Sequence, residues 1–245
     1  MGESAPVAMV TGGSRGIGAA IVTRLACEGH QVLFTHSSSP EEAAAVVASC
    51  GADASVTALQ QDVTEDAAAS RVLEAAARLG QVRVLVNNAG VTGPLGPLVD
   101  LADDDLARVV GVNLLAPVTL TREVLRRHDD GPLSVVNVSS VAARTGSPDE
   151  YVVYAATKAA LETLTVGLAK ETAARGVRVN AVSPGFIDTT IHARAGEPGR
   201  AFRLGATVPL ARPGTADEVA AAVAWLVSDE SRYVTGEVLH VSGGV

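Results

Sequence analysis

One short segment, YVVYAATK at residues 151–158, concentrates side chains that can exchange protons: it holds two of the three tyrosines and one of the two lysines in the chain. In a helix, Tyr154 and Lys158 lie one turn apart on the same face, whereas the residue four after Tyr151 is Ala155. A nearby ammonium favours the phenolate, so we expect Lys158 to lower the pKa of Tyr154 from its usual value of about 10. Tyr154 would then give a proton to a carbonyl oxygen as a hydride reaches the carbon, and take it back in the reverse direction.

A glycine-rich turn, TGGSRGIG at residues 11–18, follows the first Val-rich segment and opens the first helix-like one. Glycines at 12, 16 and 18 permit a tight turn, close approach of the backbone to a pyrophosphate, and close packing of the next helix. The turn therefore predicts dinucleotide binding. The alternative, that a Gly-rich segment is merely a turn, stays open from this motif alone.

The elements that must position these residues alternate along the whole chain. Short Val/Leu-rich runs indicate strands at 7–11, 31–35, 54–60, 82–87, 133–139, 177–183 and 237–242. Helix-like stretches lie between them at 16–29, 40–50, 65–79, 102–127, 152–175 and 216–228. Continuous apolar strands separated by helices predict a parallel sheet buried on both faces. We therefore expect one doubly wound, Rossmann-type α/β domain over residues 1–245, with a seven-stranded, mainly parallel sheet.

Composition excludes several other classes of protein. The net charge of −8 opposes attraction to nucleic acid or to an anionic membrane surface. The longest apolar run, at 219–227, is too short to span a bilayer, and the first residues lack a secretory signal pattern, so we expect a cytoplasmic protein. The histidines and the two cysteines show no metal-ligand spacing, so we expect no metal site.

Several further motifs occur in a characteristic order. They are the G-x-x-x-G-x-G turn at 12–18, NNAG at 87–90, NVSS at 137–140, the Tyr154-x-x-x-Lys158 pair and SPGFIDT at 183–189. Together they closely resemble the classical short-chain dehydrogenase/reductase family over essentially the whole chain. The glycine turn and the ending TGEVLHVSGG are similar to bacterial 3-oxoacyl-acyl-carrier-protein reductases. The stretches GSPDEYVVYAATK (146–158) and HARAGEPGR (192–200) look more like a less well characterised oxidoreductase branch.

The resemblance implies a set of catalytic roles. Tyr154 is the acid/base, and Lys158 also hydrogen-bonds the nicotinamide ribose. Ser140, directly before the VAA of 141–143, orients and polarises the substrate carbonyl, while Ser139 points elsewhere. Asn113 bends its helix and holds a water beside the lysine. The interval from Ser140 to Tyr154 is one residue longer than in the carrier-protein reductases, within a segment that we expect at the substrate rim.

Charge at the adenosine end favours NADP(H) over NAD(H). An NAD site usually has an acidic residue after the second strand, but here that strand ends in FTHSSSP and no carboxylate occurs before Glu41. Arg15 and Ser37 would meet a 2′-phosphate, and NAD(H) remains the alternative. The resemblance adds Asp62 and Val63 at the adenine, Asn88 at the ribose and Ile187 at the carboxamide. The full predicted cofactor set is Gly12, Gly13, Ser14, Arg15, Gly16, Ile17, Gly18, Ser37, Asp62, Val63, Asn88, Ala89, Gly90, Tyr154, Lys158, Pro184, Gly185, Ile187 and Thr189.

These features predict an NADPH-dependent carbonyl reductase acting on a ketone, with 3-oxoacyl thioesters as the favoured substrates. The alternatives are an NAD(P)-dependent alcohol or polyol dehydrogenase and, in a different class, a non-catalytic cofactor-binding regulator. The intact set of Ser, Tyr, Lys and Asn counts against the regulator. The long segment 184–214 is the expected substrate loop or lid.

Two kinds of protein partner follow from the resemblance. An acyl-carrier protein would dock on Arg126, Arg127 and Arg175, although these are equally well explained as helix-end cations. A homotetramer would form through the helix at 152–175 and the C-terminal segment.

Overall fold

The computed structural model describes residues 5–129, 131–189, 197 and 199–245. Seven strands form one sheet in the order β3-β2-β1-β4-β5-β6-β7, and every pairing between neighbouring strands is parallel. The strands are β1 Val7–Val10, β2 Gln31–His36, β3 Val56–Gln60, β4 Val82–Asn87, β5 Leu133–Val138, β6 Val177–Pro184 and β7 Val238–Val241. The predicted doubly wound, Rossmann-type fold is confirmed, and each predicted strand overlaps an observed one.

Helices connect the strands and cover both faces of the sheet. They are α1 Gly16–Cys27, α2 Pro40–Ser49, α3 Ala68–Ala77, α4 Asp103–Val110, α5 Ala116–Arg127, α6 Ala142–Thr145, α7 Val152–Thr172, α8 Arg200–Gly205 and α9 Ala216–Val227. A π-helical segment, Gly111–Leu115, joins α4 to α5, and short 3₁₀ turns lie at Leu98–Asp100, Ala173–Arg175 and Asp229–Ser231.

The core consists of two apolar layers, one on each face of the sheet. Because successive side chains of a strand point to opposite faces, β1 contributes Ala8 and Val10 to one layer and Val7 and Met9 to the other. The first layer is covered by α1, α2 and α9, and the second by α3, α5 and α7. Burial on both faces explains why the strands have no polar alternation.

The helical connections differ from the prediction in three places. The predicted helix at 102–127 is divided by the π-helical segment Gly111–Leu115, and a short helix, α6, follows β5. Residues 200–205 of the segment predicted to be irregular form α8. Neither α6 nor α8 exceeds six residues, which is too short for a hydrophobic period to be recognised in the sequence.

Within the described residues, the helix that carries the Tyr-Lys pair is the one helix both long and apolar enough to cross a membrane. Val152–Arg175 spans 24 residues with a mean hydropathy of 1.2, which by length and composition alone would suffice to cross a membrane. In this fold, however, the helix packs against β6 and carries the buried Lys158 on its inner side. The core helix of a globular protein meets the same criteria.

Candidate active site

A large cleft lies at the carboxyl ends of the strands, with a volume of about 1050 Å³. This is the edge where the chain order reverses between β1 and β4, the position at which open α/β sheets bind ligands. Most of the predicted site residues line it, namely Gly12, Ser14, Arg15, Gly16, Ile17, Ser37, Asp62, Val63, Asn88, Ala89, Gly90, Ser140, Tyr154, Lys158, Pro184, Gly185, Ile187 and Thr189. Three predicted residues, Gly13, Gly18 and Asn113, lie behind the lining and support it.

The glycine turn connects β1 to α1 and is tightly packed. Gly12 has a φ of +68°, in the left-handed region that favours glycine. A Cβ at Gly18 would lie 2.1 Å from the carbonyl oxygen of Gly12, so no side chain fits there. The Asn88 side chain donates hydrogen bonds to the carbonyls of Thr11 and Gly12, at 2.9 and 3.0 Å, which fixes the loop after β4 against the turn. The N-terminus of α1 therefore opens into the cleft behind a rigid turn.

The adenosine end of the cleft lies beyond β2. The lining here includes Arg15 and the β2-end residues Thr35, His36, Ser37 and Ser38, none of them acidic, while the predicted adenine residues Asp62 and Val63 line the cleft after β3. The Arg15 guanidinium donates to Ser39 Oγ at 3.3 Å and lies 3.8 Å from a Glu42 carboxylate oxygen. Arg15 is therefore a half-buried cation whose charge is partly balanced by an exposed glutamate on the first turn of α2.

Helix α7 begins at Val152, which places Tyr154 in its first turn and Lys158 in its second. The Lys158 Nζ lies 5.6 Å from the centroid of the Tyr154 ring and donates a 2.7 Å hydrogen bond to the carbonyl of Val138, at the end of β5. Lys158 is only 3 % exposed. The predicted pair is therefore brought together, with the lysine held between α7 and β5.

The pKa values of the pair differ from the prediction. Burial lowers the pKa of Lys158 to about 8. Burial also raises the pKa of Tyr154, and a hydrogen bond with the Ser140 side chain lowers it by a smaller amount. The prediction that Lys158 lowers the pKa of Tyr154 is wrong for this structure, because loss of solvation dominates and the ammonium donates to a backbone carbonyl. Tyr154 is therefore a neutral phenol at neutral pH.

The two adjacent serines after β5 have different partners. The Ser139 hydroxyl donates to Glu162 Oε1 at 2.8 Å and to the carbonyl of Lys158 at 3.2 Å, so it faces α7. The Ser140 side chain lies close enough to Tyr154 to lower the pKa of that phenol, and its Oγ accepts from the backbone N–H of Ala142 at 3.2 Å. This arrangement agrees with the predicted choice of Ser140 over Ser139 as the serine beside the tyrosine.

Asn113 lies inside the π-helical segment and is completely buried. Its amide exchanges two 2.8 Å hydrogen bonds with the backbone of Val91, and Nδ2 lies 3.3 Å from Thr157 Oγ1. A Cβ on Gly90 would lie 3.4 Å from Asn113 Oδ1 and 3.5 Å from Lys158 Nζ, so Gly90 separates the two groups. The π segment thus brings the asparagine close to the lysine, in line with the bend at Asn113 that the resemblance implies and unlike an uninterrupted α-helix at 102–127.

The segment after β6 forms the wall of the cleft opposite β1. Ile187 is 4 % exposed and pairs with Gly214 as an isolated parallel bridge, and the backbone N–H of Gly185 donates to Val241 at 3.0 Å. Thr189 also lines the cleft. The predicted substrate segment 184–214 is described at 184–189, 197 and 199–214; residues 190–196 and 198 lie outside the described part.

Four charged residues of the lining were not singled out from the sequence, namely Asp105, Arg108, Glu150 and Arg200, of which the last two form an ion pair. Arg200, at the start of α8, donates to both carboxylate oxygens of Glu150 and stands over the ring of Tyr151, 5.4 Å from its centroid. The available signal was that both residues lie in the stretches, 146–158 and 192–200, that resemble the other oxidoreductase branch. Their contact could not be deduced, since they are fifty residues apart in sequence.

The three arginines proposed for carrier-protein docking are mostly engaged within the chain. Arg175 donates to the carbonyls of Leu125 and His128 at 3.1 and 2.8 Å, which satisfies the end of α5. Arg127 pairs with Glu123 at 2.8 Å, and Arg126 lies 3.7 Å from the same glutamate. Helix-end stabilisation therefore accounts for Arg175, and Arg126 is the most exposed charge of the three, at 64 %.

Comparison with known proteins agrees with this site. A family model described as enoyl-(acyl carrier protein) reductase matches residues 12–245. An uncharacterised oxidoreductase of Escherichia coli, YgfF, is 41% identical over 97% of this chain and 99% of its own length. The 3-oxoacyl-[acyl-carrier-protein] reductase FabG of E. coli is 40% identical over 98% of this chain and 96% of its own length. The solved structure of a short-chain dehydrogenase from Burkholderia cenocepacia in complex with NADP has a TM-score of 0.88 and 37% identity, covering 99% of this chain and 98% of that one.

The glycine turn, the Tyr-Lys pair and the seven-stranded parallel sheet thus occur in a chain that aligns with these relatives over nearly its full length. The protein belongs to the short-chain dehydrogenase/reductase family of NAD(P)-dependent oxidoreductases.

Proposed function

We propose that the protein is an NADPH-dependent carbonyl reductase that transfers a hydride to a ketone, with 3-oxoacyl thioesters as the leading substrate class. The observation that carries the proposal is the placement of Tyr154, Ser140 and the buried Lys158 together in the lining of the cleft. A reductase needs a proton donor at the carbonyl oxygen, and a phenol with a raised pKa supplies that form at neutral pH.

Each catalytic residue has a separate role in this proposal. Tyr154 donates the proton to the carbonyl oxygen, and Ser140 donates a hydrogen bond that stabilises the charge developing there. Lys158, with a pKa of about 8, is largely protonated at neutral pH and lies beside the tyrosine ring. It would also hydrogen-bond the ribose of the cofactor. Asn113 fixes the loop at Val91 by a hydrogen bond to its backbone N–H. Its side-chain oxygen and the Lys158 ammonium lie on either side of Gly90, which has no side chain between them.

The cleft fits a dinucleotide at the glycine turn. The positive φ of Gly12 and the absence of any side chain at Gly18 leave the N-terminus of the twelve-residue α1 open, where backbone N–H groups and the helix dipole favour a pyrophosphate. The bound nicotinamide would supply the hydride. The chain's own contribution would be to hold the nicotinamide between Ile187 and Tyr154.

Selectivity for NADP(H) is assigned to Arg15 and Ser37. The absence of an acidic side chain at the end of β2 supports this assignment, as does the NADP complex of the Burkholderia relative. Arg15→Glu should weaken NADPH binding at least about tenfold relative to NADH, because a 2′-phosphate would then meet two carboxylates. The matched control is Arg24→Glu on α1, the helix that Arg15 immediately precedes; Arg24 is exposed and pairs with Glu28. An equal effect of both variants on the NADPH/NADH ratio would refute the assignment.

The substrate class is supported by the FabG relative, which is named for 3-oxoacyl substrates, and it needs a direct test. Initial rates of NADPH and NADH oxidation should be compared for acetoacetyl-CoA, longer 3-oxoacyl thioesters, simple ketones and diketones. Enoyl thioesters belong in the same panel because the matching family model is described by that substrate. Turnover of 3-oxoacyl thioesters would support the proposal. Turnover of enoyl thioesters alone, or of none of the compounds, would overturn it.

Two partner proposals accompany the activity. An acyl-carrier protein would use Arg126, the most exposed of the three basic residues, and Arg126→Glu should then raise the KM for carrier-linked but not for CoA-linked substrate. A homotetramer is supported by exposed apolar side chains on two long helices, Val152 and Val166 on α7 and Trp225 on α9. Static light scattering that gives a monomer mass would contradict the tetramer.

A further inference from the structure

The two stretches that depart from the carrier-protein reductase pattern meet at one end of the cleft. Arg200 Nη1 donates to Glu150 Oε1 at 2.8 Å, and Nη2 donates to the other carboxylate oxygen, so the pair is bidentate. Nη1 also donates to Glu197 Oε2 at 2.9 Å. This fork geometry is specific to arginine, because a lysine ammonium cannot make two parallel bonds to one carboxylate.

The arginine of the pair is shielded from solvent, whereas the Glu150 side chain is 34% exposed at the cleft. The side chain of Arg200 is 6% exposed and lies against the ring of Tyr151, which is itself buried. Separating the pair leaves the buried Arg200 guanidinium with Glu197 as its remaining carboxylate partner, and this costs more than breaking a fully exposed ion pair. Helix α8 is therefore held firmly against the segment that leads into the catalytic helix.

The segment that supplies Glu150 is itself held in an unusual conformation. Ser147 and Asp149 have φ values of 43° and 58°, in the left-handed region that residues other than glycine rarely adopt. Such conformations persist only where surrounding contacts impose them, and they cluster at ligand sites. The backbone carbonyl of Glu150 also accepts a 3.1 Å hydrogen bond from the N–H of Gly96, which belongs to the loop after β4.

Three walls of the cleft are thus connected at Glu150: the loop at 93–97, the segment at 146–151 and helix α8. Glu150, Tyr151 and Arg200 line the same cleft as Tyr154 and Ser140, and Glu150 lies only four residues before Tyr154. The connected end therefore belongs to the side of the substrate, far along the chain and the sheet from the adenosine end at Ser37.

We propose that the Glu150–Arg200 pair determines substrate specificity by limiting the length of the acyl or alkyl chain on the reacting carbonyl. This inference rests on the proposed carbonyl reductase activity. A compact substrate leaves the pair closed, whereas a chain that extends past Tyr154 toward α8 must separate it. The free energy of separating the pair is present in the transition state as well as in the bound substrate complex. We therefore expect kcat/KM to fall as the chain lengthens.

The test is the ratio of kcat/KM for long and short substrates with NADPH. Suitable probes are N-acetylcysteamine thioesters of 3-oxo acids with chains from four to ten carbons, because they carry no large headgroup. The wild-type ratio of ten-carbon to four-carbon substrate should be low, and Glu150→Gln and Arg200→Met should each raise it roughly tenfold or more. Arg203→Met is the matched control, since it removes an exposed partner of Glu197 and leaves Glu150 untouched. It should leave the ratio unchanged.

A purely structural role for the pair would lower the rates for all substrates together and leave the ratio constant. An unchanged ratio in Glu150→Gln, with the thermal midpoint retained, would overturn the inference. Arg200→Lys keeps the charge without the fork and serves where Arg200→Met does not fold. If the enzyme reduces these substrates but the ratio of kcat/KM for ten-carbon to four-carbon substrate is the same in the variants and the wild type, only the length limit is overturned. If no carbonyl compound is reduced, the proposed function is overturned and the length limit with it.

Discussion

Replacing Lys158 by methionine should stabilise the ligand-free protein at neutral pH and abolish its turnover. The lysine is buried, and its pKa falls from the ordinary 10.5 to about 8 on folding. Between these values the unfolded chain binds more protons than the folded one, so the free energy of unfolding rises with pH. The charged amine therefore destabilises the fold fully below pH 8, and this cost fades as the pH rises toward 10.5.

The size of the effect follows from the two pKa values. Burying the charged lysine costs about 3 kcal/mol at pH 7 and about 1 kcal/mol at pH 9.5. Methionine removes this cost but leaves the Val138 carbonyl without its donor, a loss of about 1 kcal/mol that is the same at both pH values. The variant should thus be more stable by about 2 kcal/mol at pH 7 and nearly equal to wild type at pH 9.5.

Urea unfolding at both pH values, at one protein concentration, measures this difference. The other lysine of the chain, Lys170, is exposed on the same helix, so Lys170→Met is the matched control for the loss of one positive charge, and the effect of Lys158→Met is read relative to it. A stability difference for Lys158→Met that stays constant between pH 7 and 9.5 would refute the reasoning. So would a variant that is less stable than wild type at pH 7, since it would mean that the folded protein stabilises the ammonium.

Two further predictions concern the phenol and the glycine turn. Ser140→Ala should lower kcat by about 10²- to 10³-fold with little change in NADPH affinity. Because the Ser140 side chain lowers the pKa of Tyr154, the basic limb of the pH–rate profile should also move to higher pH in this variant. An unchanged pH–rate profile in stopped-flow assays would contradict this. Gly18→Ala should eliminate NADPH binding measured by cofactor fluorescence, since its Cβ would lie 2.1 Å from the Gly12 carbonyl, whereas retained binding with wild-type affinity would show that the turn relaxes freely.

The sheet could be predicted closely because its strands are continuous apolar runs bounded by turns. The predicted start or end of each strand lies within two residues of the observed one, and the Tyr154–Lys158 pair followed from spacing on one helix. The direction of the Tyr154 pKa shift could not be predicted, because it depends on solvent exclusion by β5 and the loops around it. The same holds for the contact between Glu150 and Arg200, which exists only once α8 packs on the segment before α7.

The π-helical segment marks a further limit of local reasoning. Residues 102–127 have the pattern of one helix, and the bend at Asn113 was implied by the family resemblance rather than by that pattern. In the structure, the wider turn accompanies the hydrogen bonds of Asn113 to Val91 and Thr157. Those bonds join parts of the chain that are distant in sequence. Local propensity alone carries no information about them.

The most direct test of the central claim is the turnover of Tyr154→Phe with saturating NADPH and the best carbonyl substrate from the panel. Phenylalanine keeps the ring that packs beside Lys158 and removes only the hydroxyl that donates the proton. We predict that kcat falls by roughly 10²- to 10⁴-fold while the Kd for NADPH stays within about threefold of wild type. A variant that binds NADPH and still reduces the carbonyl at the wild-type rate would contradict the account.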